Sequence, residues 1–495
     1  MVDNRQEEFS VTRSLPPRPH GGRLTSRVVV ISVAAAVGGF LFGFDTAVIN
    51  GAVQAIEDNF GLSAVGLGVV VAVTLVGAAL GSLSAGSVAD RIGRPRTMAV
   101  AGAVFLVAAI GCGLSQGLWD LALWRLLTGY GVGFATVIAP LYISEIAPAE
   151  FRGRLSSMQQ MAIVLGIFAA LLSDTGIAMT LGGADAQLLL GLPAWRWMFI
   201  AGVVPAIVYL VVAFSVPESP RHLVARGRSE QARRVLVRLL GVSEDEARRT
   251  TEDIEATLRE RPSGRLRDVI DRRRGFLPLV WVGIGIAALQ ALVGIDVIFY
   301  YSTSLWQTVG FDEEAAFGLS VLSSFVNVVA TVVAILLIDR LGRRRLLLAG
   351  SVGMFVALVV VAIGFSTATI VDGAPALPGP WGPVTLIAAN LFVVSFAVSW
   401  GPVVWVLLGE MFPNRIRGVA LSVCASANWI AGVVLNFTFP TLRDLSLPGS
   451  YAVYAVMALL SWLLVYFFVP ETKGRTLEEM RTEVVRTAER SGRRG

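Results

Sequence analysis

Twelve apolar runs, a charged central stretch and signatures that recur half a chain apart predict an all-α membrane protein. It comprises twelve transmembrane helices in two pseudo-symmetric six-helix halves, joined by a cytoplasmic helical linker. Of the 495 residues, 55% are hydrophobic and 16% charged. Soluble domains carry nearer a quarter charged residues. Mean hydropathy is +0.68.

Runs long enough to cross roughly 30 Å of hydrocarbon need about 20 residues each. They fall near 28–50, 65–88, 97–115, 118–143, 156–176 and 196–216, then 276–302, 316–338, 345–367, 383–408, 418–440 and 450–469. Helices suit them, because each helix satisfies its own backbone in lipid. The chain divides into a tail (1–27), a first half (28–216), a linker (217–275), a second half (276–469) and a second tail (470–495). The first tail has no apolar core or cleavage site of a signal peptide, so the first span is retained.

Orientation follows from the loops. Arginines lie after even-numbered spans: Arg91, Arg94 and Arg96; Arg152 and Arg154; Arg340 and Arg343; Arg415 and Arg417. Loops after odd-numbered spans carry Glu57, Asp58, Asp312 and Glu313, with Arg443 as the exception. The positive-inside rule places both termini in the cytoplasm of a cell-membrane protein. Arginine in short loops also accounts for the net charge of +5 without nucleic acid. In the linker, 229–241 and 243–258 read as amphipathic helices with Ser229 and Ser243 as N-caps.

Three signatures repeat in order. Asp90-Arg91-Ile92-Gly93-Arg94 follows span two, and Asp339-Arg340-Leu341-Gly342-Arg343 follows span eight. Glu145 with Arg152 and Glu410 with Arg417 share a separation of seven. Pro217-Glu218 and Pro470-Glu471 close the two halves. Such halves, in secondary transporters, rock about a midplane site.

Few groups offer chemistry inside the spans. The two cysteines, Cys112 and Cys424, lie in apolar runs, and the two histidines lie outside them. No disulfide, metal site, cofactor or enzyme constellation is expected. Asp45 is the conspicuous group. An ionised Asp at mid-membrane costs about 2.5–3.5 kcal/mol, so such residues face a protein interior and act there. The other reading puts Asp45 at the water boundary as a cap, since Asn50 is only five residues on.

Gly43-Phe44-Asp45-Thr46-Ala47-Val48-Ile49, the stretch from Arg125 through Pro148, Pro217-Glu218-Ser219-Pro220-Arg221 and Pro470-Glu471-Thr472-Lys473-Gly474 resemble the sugar porter family of the major facilitator superfamily. Ser399-Trp400-Gly401-Pro402-Val403-Val404-Trp405 resembles its proton-coupled bacterial members. The likeness spans roughly 28–480. It implies the major facilitator fold and a monomeric carrier whose partners are a monosaccharide, a proton and the lipid bilayer. It also implies that Asp45 accepts the proton and Arg125, at similar depth in span four, tunes it. A static ion pair is the structural alternative.

Family positions matching a sugar site are Gln160, Gln290, Asn327, Asn428 and Trp429; Trp405 offers an indole, and Tyr300 and Tyr301 help close the outer side. Singly, the amides read equally as helix–helix hydrogen bonds. Gating is implied for Arg91, Arg94, Glu145, Arg152, Arg340, Arg343, Glu410 and Arg417, an inner salt-bridge lattice.

Span seven departs from the family, with Ala291 where a second Gln is usual and Asp296 where Asn is usual. Asp296 accepts from a sugar hydroxyl, selects a cationic or amino sugar, or titrates as a second proton site. The expectation is a proton-coupled importer of a hexose or pentose. The alternatives are a facilitative sugar or polyol uniporter, or a proton-coupled antiporter of another small solute. An antiporter's Gly-Pro motif is missing from 156–176, and the short C-terminal tail argues against a sugar sensor.

Overall fold

The computed structural model describes residues 26–146, 152–187, 191–260, 266–271, 275–371, 374–413 and 416–471. In the first half stand α1 (Ser26–Phe60), α2 (Ala64–Ile92), α3 (Arg94–Leu114), α4 (Leu118–Ile146), α5 (Arg152–Leu181), α6 (Ala194–Ala201) and α7 (Val203–Ser215). The linker contributes α8 (Pro220–Ala225), α9 (Ser229–Leu240) and α10 (Glu244–Glu260). In the second half stand α11 (Pro278–Leu292), α12 (Ile295–Thr308), α13 (Glu313–Leu341), α14 (Arg343–Ser366), α15 (Trp381–Val398), α16 (Trp400–Met411) and α17 (Arg417–Phe468). Two small antiparallel hairpins, Ile270–Asp271 with Gly275–Phe276 and Thr369–Val371 with Ala374–Ala376, sit in connecting segments.

Among the described residues, eleven stretches are long and apolar enough to cross a membrane, one fewer than the sequence predicts. The last explains the difference. Its 52 residues would extend roughly 78 Å at about 1.5 Å per residue, far more than one crossing. Ser446 is non-helical (φ −168°, ψ 103°) and Pro448 follows it, so α17 supplies spans eleven and twelve. Three other spans are broken. Pro205 denies a hydrogen bond to the carbonyl that ends α6, and Pro402 does so at the end of α15. Span seven breaks at Gly294, which has φ 92° and has no room for a side chain, since a Cβ there would lie 2.9 Å from the Tyr454 ring.

Proline inside a continuous helix needs another remedy. Pro140 frees the Thr136 carbonyl, and Gln159 Nε2 donates to it at 3.0 Å. Pro440 frees the Asn436 carbonyl, and the Tyr301 hydroxyl donates to it at 3.2 Å. Both repairs follow from the cost of an unpaired carbonyl away from water.

Glycine sets how closely the helices of the first half approach. A Cβ on Gly77 or Gly81 of α2 would stand 2.1 and 2.3 Å from the Leu126 and Tyr130 carbonyls of α4. On Gly129 or Gly133 of α4 it would stand 1.9 and 2.2 Å from the Thr74 and Ala78 carbonyls of α2. Gly43 of α1 and Gly166 of α5 meet in the same way, at 1.8 Å from the Ile163 carbonyl and 2.2 Å from the Phe40 carbonyl. Small residues spaced by four let backbones touch where lipid offers no hydrophobic drive.

The linker helices fall close to expectation, with one correction. Ser243 accepts from the Glu246 amide at 3.3 Å as a cap, but Ser229 is the first residue of α9, after its cap position Arg228. Its hydroxyl donates to Glu255 at 2.6 Å and ties α9 to α10. Leu223, Val224 and Ala232 form the small core beneath them.

Most polar contacts between the halves lie at the end remote from the linker, called here the far end. Asn50 of α1 is buried and makes three bonds to α12: Nδ2 donates to the Phe299 carbonyl (3.1 Å) and Ser302 Oγ (2.7 Å), and Oδ1 accepts from the Thr303 amide (2.9 Å). Arg443 pairs with Glu57 at 3.5 Å and donates to Ser304 at 3.2 Å, which accounts for a lone arginine among acidic loops. Glu313 accepts from the Ala184 amide at 2.9 Å, and Gly68 of α2 has no space for a Cβ beside the Phe437 carbonyl.

Gly129→Ala is expected to lower the unfolding temperature in detergent, by overpacking worth about 1–3 kcal/mol. Gly86→Ala, where a Cβ meets nothing within 4 Å, serves as the silent control. Equal melting of the two variants contradicts the close helix contact.

Candidate functional site

Asp45 lies twenty residues into α1, which runs to Phe60 rather than ending near Asn50. That removes the water-boundary reading, and the residue is only 3% exposed. Arg125, fully buried on α4, donates from Nη1 to Asp45 Oδ1 at 2.8 Å. The Phe199 ring lies 5.7 Å from its guanidinium carbon. Among the described residues, Nε and Nη2 of Arg125 have no hydrogen-bond partner. A buried pair held by one hydrogen bond, with donors left over, is weakly compensated for the loss of water. Such a pair can be switched.

Tyr300 connects this pair to the opposite half. It is buried on α12, and Asp45, Arg125 and Asp296 lie within electrostatic reach of it. Asp296 adjoins Gly432 of α17.

The amides gather at the break between α15 and α16. Gln290 Nε2 donates to the Trp400 carbonyl at 2.8 Å, while its Oε1 accepts from Asn428 Nδ2 at 3.2 Å. Asn428 also donates to the Ala287 carbonyl at 2.7 Å. Gln160 of α5 reaches the same break, its Nε2 being 3.8 Å from where a Cβ on Gly401 would lie. Trp429 stands edge-on to Phe42 of α1, with centroids 5.7 Å apart. Trp405 is 38% exposed, the most open of the nominated residues in the spans. Asn327 is buried on α13, apart from these bonds, and Tyr301 is engaged with the Asn436 carbonyl and stacked near Phe439.

At the linker-side end, the repeated signatures form two clusters, one around Arg94 and one around Arg343. Arg94 grips Glu145 through two bonds, Nε to Oε2 at 2.9 Å and Nη2 to Oε1 at 2.8 Å. Its backbone amide donates to Glu218 Oε1 at 2.9 Å, and Nη1 meets His222 Nδ1 at 2.9 Å. Arg343 repeats the pattern with Glu410 (2.9 Å), while its amide donates to Glu471 Oε1 at 2.9 Å.

Glycine makes both clusters possible. Gly93 (φ 95°) and Gly342 (φ 88°) cap the helices, and a Cβ on either would strike the Glu218 or Glu471 carboxylate at 1.9 or 2.7 Å. Arg417 donates to the Phe412 carbonyl at 3.2 Å. Arg91 and Arg340 are exposed; the Arg91 carbonyl accepts from Arg226. The Arg152 side chain lies outside the described residues, as do Arg415 and residues 472–495.

Several functional groups escape sequence reading. Asn50 follows the Asp45 motif but gives no local sign of its partner 253 positions on. Pro217-Glu218 and Pro470-Glu471 are visible as repeats, yet that their carboxylates cap α3 and α14 needs the fold. Gln159 was passed over for its neighbour Gln160.

The profile of the family described as Sugar (and other) transporter matches residues 31–484. The chain is 50% identical over 455 residues to the glucose transport protein of Synechocystis, covering 92% of this chain and 97% of that protein. It is 33% identical over 491 residues to the D-xylose-proton symporter of Escherichia coli, covering 92% and 95%. Among solved structures, it resembles the inward-open conformation of the xylose transporter XylE from E. coli with TM-score 0.77 and 31% identity, covering 92% of this chain and 99% of that one.

Burial holds the His222 imidazole below the usual histidine range, against the opposing pull of Glu218 and with the added push of Arg94. The neutral ring is the form that accepts from Arg94. Its contribution is present above the unfolded value of about 6.5 and is lost as pH falls through the lower folded value. Melting temperature in detergent is expected to fall as pH drops below about 6.5, less so in His222→Gln. Identical pH dependence in the two proteins contradicts this role.

Proposed function

The chain belongs to the sugar porter family of the major facilitator superfamily, and on that premise we propose that it imports a monosaccharide together with a proton by alternating access. The observation that supports coupling is the buried Asp45–Arg125 pair at 2.8 Å. With the linker and both tails in the cytoplasm, the far end faces outward, and the structure corresponds to an inward-facing stage. Its interdomain contacts at Asn50 and Arg443 close the outer side.

In the cycle, ionised Asp45 holds Arg125 while the carrier awaits its load. Protonation of the carboxylate removes the charge that fixes the guanidinium, sugar engages Gln160, Gln290 and Asn428 beside Trp429 and Trp405, and the halves rock inward. Release of sugar and proton restores the ion pair. The clusters around Arg94 and Arg343 hold the inner ends of each half in shape, so that the halves move as bodies. One charge crossing about 100 mV supplies roughly 2.3 kcal/mol, enough for about fifty-fold accumulation of a neutral sugar.

A glucose-type hexose is the substrate to test first, because the 50%-identical relative bears the name of a glucose transport protein. Asp296 is the residue assigned to preference among sugars. Ionised, it only accepts hydrogen bonds, where an amide would both donate and accept.

Uptake by proteoliposomes with an imposed proton gradient tests the scheme. Asp45→Asn is expected to abolish accumulation above equilibrium while exchange of labelled for unlabelled sugar continues; undiminished uphill uptake removes Asp45 from coupling. Asp296→Asn is expected to alter the ranking of hexoses, pentoses and polyols by about tenfold, about 1.4 kcal/mol, with accumulation retained. An unchanged ranking with lost accumulation reverses that assignment.

A further inference from the structure

One carboxylate of the first half has no part in that cycle. Asp174 of α5 is fully buried, and neither of its oxygens has a hydrogen-bond partner among the described residues. It is pressed against a glycine of α1: a Cβ on Gly51 would stand 2.9 Å from Asp174 Cβ and 3.0 Å from Oδ2. The same Cβ would lie 3.0 Å from the Met198 sulfur of α6, so the carboxyl is walled by backbone and thioether. The Gly51 backbone amide lies near it.

Several charged groups on the neighbouring helices are engaged elsewhere. On α1, Asp45 is held by Arg125 and Glu57 by Arg443. On α6, Arg196 donates to the Gly113 and Ser115 carbonyls. On α13, Glu313 accepts from the Ala184 amide. An ionised carboxylate without a cation or a set of donors is prohibitive in such surroundings, whereas the neutral acid is tolerable. Ionisable groups kept inside a membrane bundle at that cost usually act there.

Position connects Asp174 to the moving contact. Gly51 follows Asn50, whose side chain joins the halves. Asn50 and Gly51 also line a polar far-end cavity with Gln54, Thr303 and Glu313. Gly51 thus borders both the acid and that cavity.

We infer, resting on the alternating-access reading above, that Asp174 is a second proton-binding site, which holds a proton while the far end is closed and gives it to water when Asn50 parts from α12. The step is a simple ionisation: the carboxyl O–H bond breaks, its electron pair stays on the carboxylate, and the proton passes to water entering beside Gly51.

Infrared spectroscopy of the purified full-length protein at neutral pH reads this proton without any transport assay. The wild-type-minus-Asp174→Asn difference is expected to contain a protonated-carboxyl carbonyl band that shifts in heavy water. The band persists in Asp45→Asn, and it weakens in Asn50→Ala, which loosens the far end. If Asp174→Asn fails to fold, Asp174→Ser serves in its place. A difference spectrum without the band overturns the site, and a band indifferent to Asn50→Ala overturns its link to opening. If the band is absent while uphill sugar uptake persists, this site alone is lost. If the band is present while uptake proves independent of protons, only the coupling scheme is lost.

Discussion

Two opposite charges placed where water is scarce constrain everything else in this bundle. Asp45 and Arg125 meet at 2.8 Å on different helices, with exposures of 4% and 0% for their side chains. Removing either charge from such a pair leaves the other stranded, at a typical cost of about 3–5 kcal/mol. The same cost is what a proton alters reversibly, since neutralising the acid changes the preferred surroundings of the guanidinium. The pair's single hydrogen bond keeps it near the point of change.

The scaffold around the pair shows how a small local event can move a large body. Glycines at α2–α4 and α1–α5 let helices touch backbone to backbone within the first half. Carboxylate caps at Gly93 and Gly342 stiffen the inner end of each half in the same manner. Between the halves, the far-end contacts add a few polar groups, chiefly Asn50, Arg443 and Glu313, to the packing of α2 on α17. Rigid bodies joined through replaceable hydrogen bonds are suited to two discrete arrangements.

Much of this was legible in the residues themselves. Apolar runs and the arginine pattern gave the spans, and the three repeated signatures gave the halves, because both reflect constraints that act locally on every crossing. Span breaks at Gly294 and Ser399 were less legible: Pro402 marks a weak point in span ten, but in span seven only the close approach of the Tyr454 ring shows why the chain yields at Gly294. Pairing of Asp45 with Arg125 was reachable from depth. Gln290 and Asn428 bonding each other was not, since a hydrogen bond across 138 positions leaves no local trace. The role of Tyr301 likewise depends on a proline 139 residues away, whose freed carbonyl it satisfies. Asp174 was missed altogether, because an acid in an apolar run near a predicted span end reads as a boundary residue.

Proton movement accompanying sugar entry is the most direct measure of the central claim. With purified protein in vesicles and no imposed gradient, adding a transported hexose outside is expected to alkalinise the external medium and carry positive charge inward in step with sugar entry. Sugar entry with neither signal would mean that the buried ion pair holds helices together and couples nothing.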